Sequence, residues 1–254
     1  MLAPEGKYIY CIIKNKDYID FGPLGIGERG DRVYTIPYRD ISAVVSDTLR
    51  KRYPVARENL IPHERAIEEV MKSYTVLPVR FATIAGDEVR VKKILEKEYD
   101  RFIDLLKDME GKKELGLKAV FKEEIVYKDI LANYEEIRMQ REKMEKVAPS
   151  ANVHPKLIEI GRLVESALSE ERTRYKEEIL YTLEPLALEV KTSNSYYDLV
   201  IINAAFLIEE KKESEFDQKV RDITGKYDDK IKFKYVGTVP PFNFVNVVIH
   251  TGDL

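Results

Sequence analysis

The chain has 254 residues, 44% of them hydrophobic and 34% charged, a composition that can bury a core beneath a highly charged surface. Its 42 Lys and Arg nearly balance its 45 Asp and Glu, which gives no electrostatic case for a nucleic acid or an anionic membrane as partner. Cys11 is the only cysteine, which excludes an internal disulfide and a cysteine-based zinc site, and its apolar neighbours predict a buried thiol.

The N-terminal sequence has no signal-peptide pattern. No stretch reaches the roughly 20 apolar residues that a membrane-spanning helix needs. These two observations predict a soluble protein of the cytoplasm.

The first part of the chain alternates strand-like and helix-like segments. β-Branched and aromatic runs predict strands, and apolar residues at helical spacing predict helices. The order is β-β-β-α-β-α-β with short links, which is compatible with a ferredoxin-like α+β sheet carrying an additional hairpin strand. The predicted strands are 8–13, 32–38, 41–46, 75–84 and 114–121, and the predicted helices are 58–74, opened near Pro62, and 87–109.

The rest of the chain begins with charged helical sequence and returns to α+β patterning. The apolar stripe of its long helix indicates core packing or one side of a helical hairpin, with a partner-binding helix as the alternative. We therefore predict two domains: an N-terminal ferredoxin-like α+β domain over 1–121, and a C-terminal α+β domain over 122–254 with long helices and a small, mostly antiparallel sheet. In this second part the predicted helices are 122–147, 156–184 and 213–227, and the predicted strands are 186–192, 198–208, 231–237 and 244–250.

Residues 25–30 read GIGERG and match the G-x-G-x-x-G fingerprint of dinucleotide-binding proteins. That site needs a helix directly after the glycines, because the helix N-terminus binds the pyrophosphate. The sequence after Gly30 is instead β-branched and aromatic, so we interpret the glycines as a loop between two strands.

No recognisable catalytic or metal centre is present, and no cofactor is predicted. The histidines His63, His154 and His250 are far apart, and none has a second ligand at helical metal spacing. His63 stands beside Glu64 at a helix start, where a capping or core-edge role is favoured over that of a general base.

Arg80 is the one charge in the apolar run 75–83. A charge in such a strand must be paired or face outward, because burying it alone is costly. One interpretation is an ion pair with a carboxylate such as Glu64 on the preceding helix. The other is an arginine presented to a partner.

The segment 236–247 reads VGTVPPFNFVNV. The adjacent Pro240 and Pro241 interrupt helix and sheet, so they predict a rigid bend between strands. The neighbouring Phe242 and Phe244 either pack in a buried turn, which is favoured, or form an adhesive surface.

Taken in order, several segments resemble the gas vesicle protein F/L family. They span nearly the whole chain: YIYCII at 8–13, GPLGIG at 22–27, VYTIPYRDISAVVS at 33–46, the helix-start His63, TVLPVRFAT at 75–83, and GTVPPFNFV at 237–245. The chain departs from the family pattern in two places. Phe81-Ala82-Thr83 stands where F-G-T is usual, and Val239 stands where a bulkier residue is frequent.

The resemblance implies a non-enzymatic accessory and minor structural component of gas vesicles, with a two-domain α+β design. Its implied partners are the hydrophobic major shell protein, whose aggregation it limits and whose nucleation and assembly it assists, and other gas vesicle accessory proteins. The candidate partner-binding residues are His63, Arg80, Phe81, Pro240, Pro241, Phe242 and Phe244. The alternatives are a small-molecule-binding regulatory α+β module and a nucleotide-dependent enzyme.

Overall fold

The computed structural model describes residues 5–27, 29–49, 53–145, 153–195 and 197–249. It divides the chain into two compact units, one formed by Met1–Glu114 together with Thr238–Leu254, the other by Leu115–Gly237. This division differs from the predicted domains 1–121 and 122–254 mainly in its last segment, which the structure assigns to the first unit. The predicted α+β fold class with two sheets is confirmed.

The described residues of the first unit form one sheet and three helices. Its strands lie in the order β2-β3-β4-β1-β5, and β6 also pairs with β1; each of these pairings is antiparallel. The elements are β1 (Glu5–Ile13), β2 (Asp20–Gly22), β3 (Val33–Tyr38), β4 (Ile41–Leu49), α1 (Arg57–Met71), β5 (Val76–Pro78), β6 (Ile84–Ala85), α2 (Glu88–Lys97) and α3 (Tyr99–Met109).

Helix α1 packs against the central strand β1. Ala66, Ile67 and Val70 of the helix share one buried core with Tyr8 and Tyr10 of the strand. The β1–β4 register shifts between Ile9 and Cys11, so this pair of strands carries a bulge beside Tyr10. Cys11 is buried, as predicted, and burial raises the pKa of its thiol. The side chains of Tyr8 and Tyr10 are thus held in the buried core between β1 and α1.

Both helix predictions in the first unit need adjustment. Helix α1 begins at Arg57, so Pro62 lies inside it rather than at its start. The proline ring leaves the Glu58 carbonyl without its helical donor, as proline does in any helix interior. The predicted helix 87–109 divides into α2 and α3 because Glu98 leaves helical geometry, with φ −102° and ψ 11°.

The second unit contains the second sheet, in the order β10-β7-β9-β8. Strand β9 is internal and almost wholly buried, which confirms its prediction as a central strand. The elements are β7 (Lys112–Phe121), α4 (Glu123–Asn133), α5 (Glu135–Glu145), α6 (Val153–Leu183), β8 (Ala187–Thr192), β9 (Val200–Glu209), α7 (Glu213–Tyr227) and β10 (Ile231–Val239).

The core of this second unit is built on alternating strand residues and on the helices. Phe206 of β9 packs edge-on against Phe216 of α7, with ring centroids 5.1 Å apart. Ile179 and Leu183 near the end of α6 join the same buried cluster, which confirms the core-packing interpretation for that part of the helix. Strand β7 belongs to this sheet and not, as predicted from chain order, to the first one.

The predicted strand 244–250 is wrong for the residues that the structure describes, which exclude 250. The segment contains a single bridge, in which Val247 pairs in parallel with Val79 at the end of β5. The turn formed by Pro241 and its neighbours occupies the start of the predicted strand, because Val245 donates its N–H to the Pro241 carbonyl at 2.9 Å. One bridge is enough to bring this late segment onto the edge of the first sheet.

Candidate functional site: an apolar groove beside strand β5

An open groove of about 600 Å³ lies in the first unit and brings together four of the predicted partner-binding residues. These four are His63, Arg80, Phe81 and Phe242. Apolar side chains dominate the remaining lining, and two polar side chains complete it. The further lining residues are Leu60, Glu64, Pro78, Val245, Asn246, Val247 and Val248. The other three predicted residues, Pro240, Pro241 and Phe244, belong to the chain segment that carries Phe242.

His63 is the most buried polar residue in the wall of the groove, with 2% of its surface exposed. Its ring stacks on Tyr10, with centroids 5.8 Å apart and an interplanar angle of 24°. The Phe81 ring stands edge-on to it with centroids 5.6 Å apart, and the Phe242 ring is tilted by 36° to it with centroids 6.0 Å apart. The burial and ring contacts of His63 therefore favour a core histidine over a general base.

The imidazole of His63 makes one hydrogen bond, between Nδ1 and the Tyr8 hydroxyl at 3.1 Å. Within the described residues Nε2 has no hydrogen-bond partner. Burial lowers the pKa of His63 to about 4, because the charged ring would lose its hydration. The ring is therefore neutral at pH 7 and carries a single N–H.

The segment that carries Arg80 is a strand end followed by a turn, not the continuous strand 75–84 that was predicted. Strand β5 ends at Pro78, and the Thr83 hydroxyl donates to the Arg80 carbonyl at 2.6 Å across the turn. The Arg80 side chain is exposed and, in the described part of the chain, forms no ion pair. The predicted pairing with Glu64 is absent there, which leaves Arg80 presented at the groove.

Glu64 lines the same groove. Partial burial and the charge of Glu68 raise the pKa of Glu64 above its ordinary value. The groove thus has apolar walls with one exposed cation and one carboxylate among its lining residues.

Ala82, at the turn after Phe81, has φ +63°, in the left-handed region that glycine adopts without strain. Its N–H donates to the Tyr8 hydroxyl at 3.0 Å, which holds the turn against the core. The family resemblance has glycine at this position, and the backbone geometry supplies the physical reason.

We expect the substitution Ala82→Gly to raise the free energy of unfolding by about 0.5 kcal/mol. Relief of left-handed strain, worth about 1–2 kcal/mol, exceeds the entropy that glycine costs in the unfolded chain. Urea denaturation provides the measurement. Ala43→Gly is the matched control: Ala43 is buried in β4 with ordinary backbone geometry, so glycine should destabilise there. A loss of stability in both variants would contradict the strain at Ala82.

The proline pair forms a compact turn whose base is buried and whose apex is exposed. Pro240 and Pro241 are buried, whereas 40% of the Phe242 surface is exposed and Phe244 is half-buried. Phe242 donates its N–H to the Pro240 carbonyl at 2.7 Å, and Phe244 donates to the Pro241 carbonyl at 3.2 Å. The turn thus combines the two alternatives left open by the sequence: a buried bend that presents one aromatic ring.

Glu114, the last residue of the first unit's segment Met1–Glu114, anchors this turn. It is only 3% exposed, and its carboxylate accepts hydrogen bonds from the Asn243 backbone N–H at 3.0 Å and from the Asn243 side-chain amide at 2.6 Å. Hydrogen bonds to a buried carboxylate are among the stronger ones in proteins. Glu114 therefore fixes the backbone on which Phe242 stands.

The residues that sequence analysis missed are Tyr8, Tyr10 and Glu114. Tyr8 connects His63 to Ala82, and the Tyr10 hydroxyl accepts from the Ile26 N–H at 2.7 Å. The sequence did contain a signal for these residues: each places a hydroxyl or a carboxylate in a run that must be buried. A buried group of this kind needs hydrogen-bond partners.

The glycines of the G-x-G-x-x-G match lie in a loop between two strands, as predicted. The loop lies between β2 and β3, with no helix after Gly30. Gly27 and Gly30 have φ of +88° and +69°. A side chain at Gly25 would approach the Asp31 carbonyl oxygen to 2.6 Å. The glycines are needed for the loop's own geometry.

A second, smaller cleft of about 230 Å³ lies in the second unit. Two charged pairs line it: Lys230 with Asp129 at 2.6 Å, and Arg174 with Glu171. Because these charges bind one another, the cleft presents fewer unsatisfied groups than its composition suggests.

The described residues contain neither a cluster of metal ligands nor a membrane-spanning helix. No group of three or more His, Cys, Asp or Glu side chains stands close enough to hold a metal ion. Among those same residues, no helix combines the length and the apolar character required to cross a membrane.

Comparison with known proteins decides the family. Residues 6–246 match the family model described as "Gas vesicle synthesis protein GvpL/GvpF". The chain belongs to this family. It is 28% identical to gas vesicle protein F of Nostoc sp. (strain PCC 7120 / SAG 25.82 / UTEX 2576), with 96% of this chain and 99% of that protein covered. It is 27% identical to gas vesicle protein F of Dolichospermum flosaquae, with 80% and 82% covered.

Solved structures agree with the family assignment. The crystal structure of gas vesicle protein GvpF from Anabaena sp. PCC7120 matches at a TM-score of 0.80 and 26% identity, covering 96% of this chain and 100% of that one. GvpF from Microcystis aeruginosa matches at a TM-score of 0.74 and 23% identity, which shows the shared fold. As a member of the GvpL/GvpF family, the chain has a gas vesicle-related role.

Proposed function

We propose that the chain binds the hydrophobic shell protein of the gas vesicle through the groove beside β5, limits its aggregation and assists vesicle nucleation and assembly. The observation that carries this proposal is the groove itself, in which the exposed Arg80 and the rings of Phe81 and Phe242 stand among apolar walls. The protein would act in the cytoplasm and at the gas vesicle, together with other gas vesicle accessory proteins.

The physical reason concerns the partner. A subunit that encloses gas needs a strongly apolar face, and such faces associate with one another before assembly. A protein that limits this association must offer an apolar surface of its own. A hydrophobic groove that receives the apolar face of a polypeptide is one recurring form of such a surface. The groove has this form, and its charged residues Arg80 and Glu64 supply orientation.

The test uses the full chain, because the groove includes residues 242–248 and a fragment ending at residue 121 would lack them. We expect Phe242→Asp to reduce co-precipitation of co-expressed shell protein about tenfold and to leave more of it in the insoluble fraction, because a desolvated carboxylate in the groove is costly.

Tyr181→Asp is the matched control, since Tyr181 is 84% exposed on α6 in the second unit. This variant should bind as the unmodified chain does. If binding survives Phe242→Asp, or if both variants lose it equally, the groove is not the binding surface.

The alternative function, a small-molecule-binding regulatory module, rests on the cleft of the second unit. Its volume of about 230 Å³ is below the usual range for such sites, roughly 300–1,000 Å³, and its charges are already paired. Stabilisation by a metabolite in a thermal-shift screen, abolished by Lys230→Ala, would favour this alternative.

A further inference from the structure

The hydrogen bonds around Tyr8 determine which nitrogen of His63 carries the proton. The Tyr8 hydroxyl oxygen accepts from the Ala82 N–H, so its own hydrogen is available to donate. The acceptor within reach is Nδ1 of His63 at 3.1 Å. A neutral imidazole that accepts at Nδ1 carries its hydrogen on Nε2.

The opposite tautomer leaves more polar groups unsatisfied. If Nδ1 carried the hydrogen, it would donate to a Tyr8 oxygen that already accepts from Ala82, and the Tyr8 O–H would lose its acceptor. Nε2 would then be an unused acceptor as well. Because buried polar groups are costly when unpaired, the Nε2–H tautomer is the stable one.

The Nε2–H is therefore a buried donor without a partner in the described chain, on a residue that lines the groove. The nearby rings of Phe81 and Phe242 offer at most a weak N–H···π contact. Buried donors of this kind are rare unless another molecule satisfies them.

We propose that the Nε2–H of His63 donates a hydrogen bond to a backbone carbonyl oxygen of an apolar polypeptide segment docked in the groove. This inference rests on the proposed function and names the polar contact by which that partner is recognised. A neutral carbonyl suits the site better than a carboxylate, because a charge brought into these apolar walls would lose its hydration, and Arg80, the cation in the lining, is exposed.

The ring of Phe242 is the exposed aromatic neighbour of His63, with ring centroids 6.0 Å apart. Its backbone is fixed by the buried Pro240 and Pro241 and by the bonds from Asn243 to Glu114, so the turn stays in place. The ring itself is 40% exposed. In the proposed complex, rotation of this side chain opens the way to the buried Nε2, and an apolar side chain of the partner packs where the ring stood.

The test measures binding of overlapping synthetic peptides from the gas vesicle shell protein to the full chain by fluorescence anisotropy. We expect His63→Phe, which keeps a ring but removes the donor, to weaken the tightest peptide about tenfold. His63→Gln, whose amide can donate, should retain affinity within about threefold. Circular dichroism confirms that each variant is folded.

A second measurement needs no variant. With ¹⁵N-labelled histidine, the free chain should show the Nε2–H tautomer of His63, and saturation with the peptide should shift the Nε2 resonance. If His63→Phe binds the peptide as tightly as the unmodified chain, or if the peptide does not shift the Nε2 resonance, the proposed hydrogen bond is refuted. The groove would still be supported as the binding surface. Absence of binding by the unmodified chain overturns the proposed function together with this inference.

Discussion

Replacing Tyr8 by phenylalanine is expected to lower the free energy of unfolding by about 3 kcal/mol, although it removes a single oxygen atom. The hydroxyl is fully buried, accepts from the Ala82 N–H and bonds to His63 Nδ1. Its loss leaves two polar groups unsatisfied, and each such group costs about 1–3 kcal/mol. Urea denaturation monitored by circular dichroism measures the difference.

The matched control for this substitution is Tyr181→Phe on α6, where the side chain is exposed. A surface change of this kind should stay within about 0.5 kcal/mol of the unmodified chain. If Tyr8→Phe also fell within that range, the hydroxyl could not be the link between the Ala82 turn and His63, and the tautomer assigned to His63 would lose its basis.

The second large effect is a pH dependence of stability that originates in His63. Its pKa is about 4 in the folded chain and about 6.5 in the unfolded chain. Below pH 6.5 the unfolded chain binds a proton that the folded chain refuses, so folding loses stability until the pH reaches about 4. The shift corresponds to about 3 kcal/mol, since one pKa unit is worth about 1.4 kcal/mol.

Comparison with His63→Gln isolates this effect, because the other titrating groups are present in both proteins. The stability of the unmodified chain relative to the variant should decrease by about 3 kcal/mol between pH 7 and pH 4. Denaturation in urea at several pH values provides the measurement. A difference that stays constant with pH, or that grows as the pH falls, would contradict the buried neutral state.

Much of the fold could be predicted because its strands and helices have regular apolar patterns. The internal strand β9 was recognisable from its nearly continuous apolar run, and the glycine loop from the strand that follows it. Strand β7 was assigned to the wrong sheet because its own pattern does not specify its neighbours. Pairing depends on contacts with distant segments, which a single sequence does not contain.

The candidate site was predictable in its parts but not in its assembly. His63, Arg80, Phe81 and Phe242 were named from local pattern or family resemblance, and the groove unites them. The role of Tyr8 depends on a hydrogen bond to a residue far along the chain, which no local pattern encodes. The expected ion pair of Arg80 failed for a related reason, because the strand ends before Arg80 and the side chain is exposed.

The discontinuity of the first unit has a consequence for the protein's biosynthesis. A ribosome adds residues in chain order, so the segment that carries Phe242 emerges only after all of Leu115–Gly237 has been made. Until then, the edge of β5 lacks its bridge to Val247, and one wall of the groove does not exist. Binding of an apolar partner in the groove, as proposed, therefore has to wait until residues 242–248 have been synthesised.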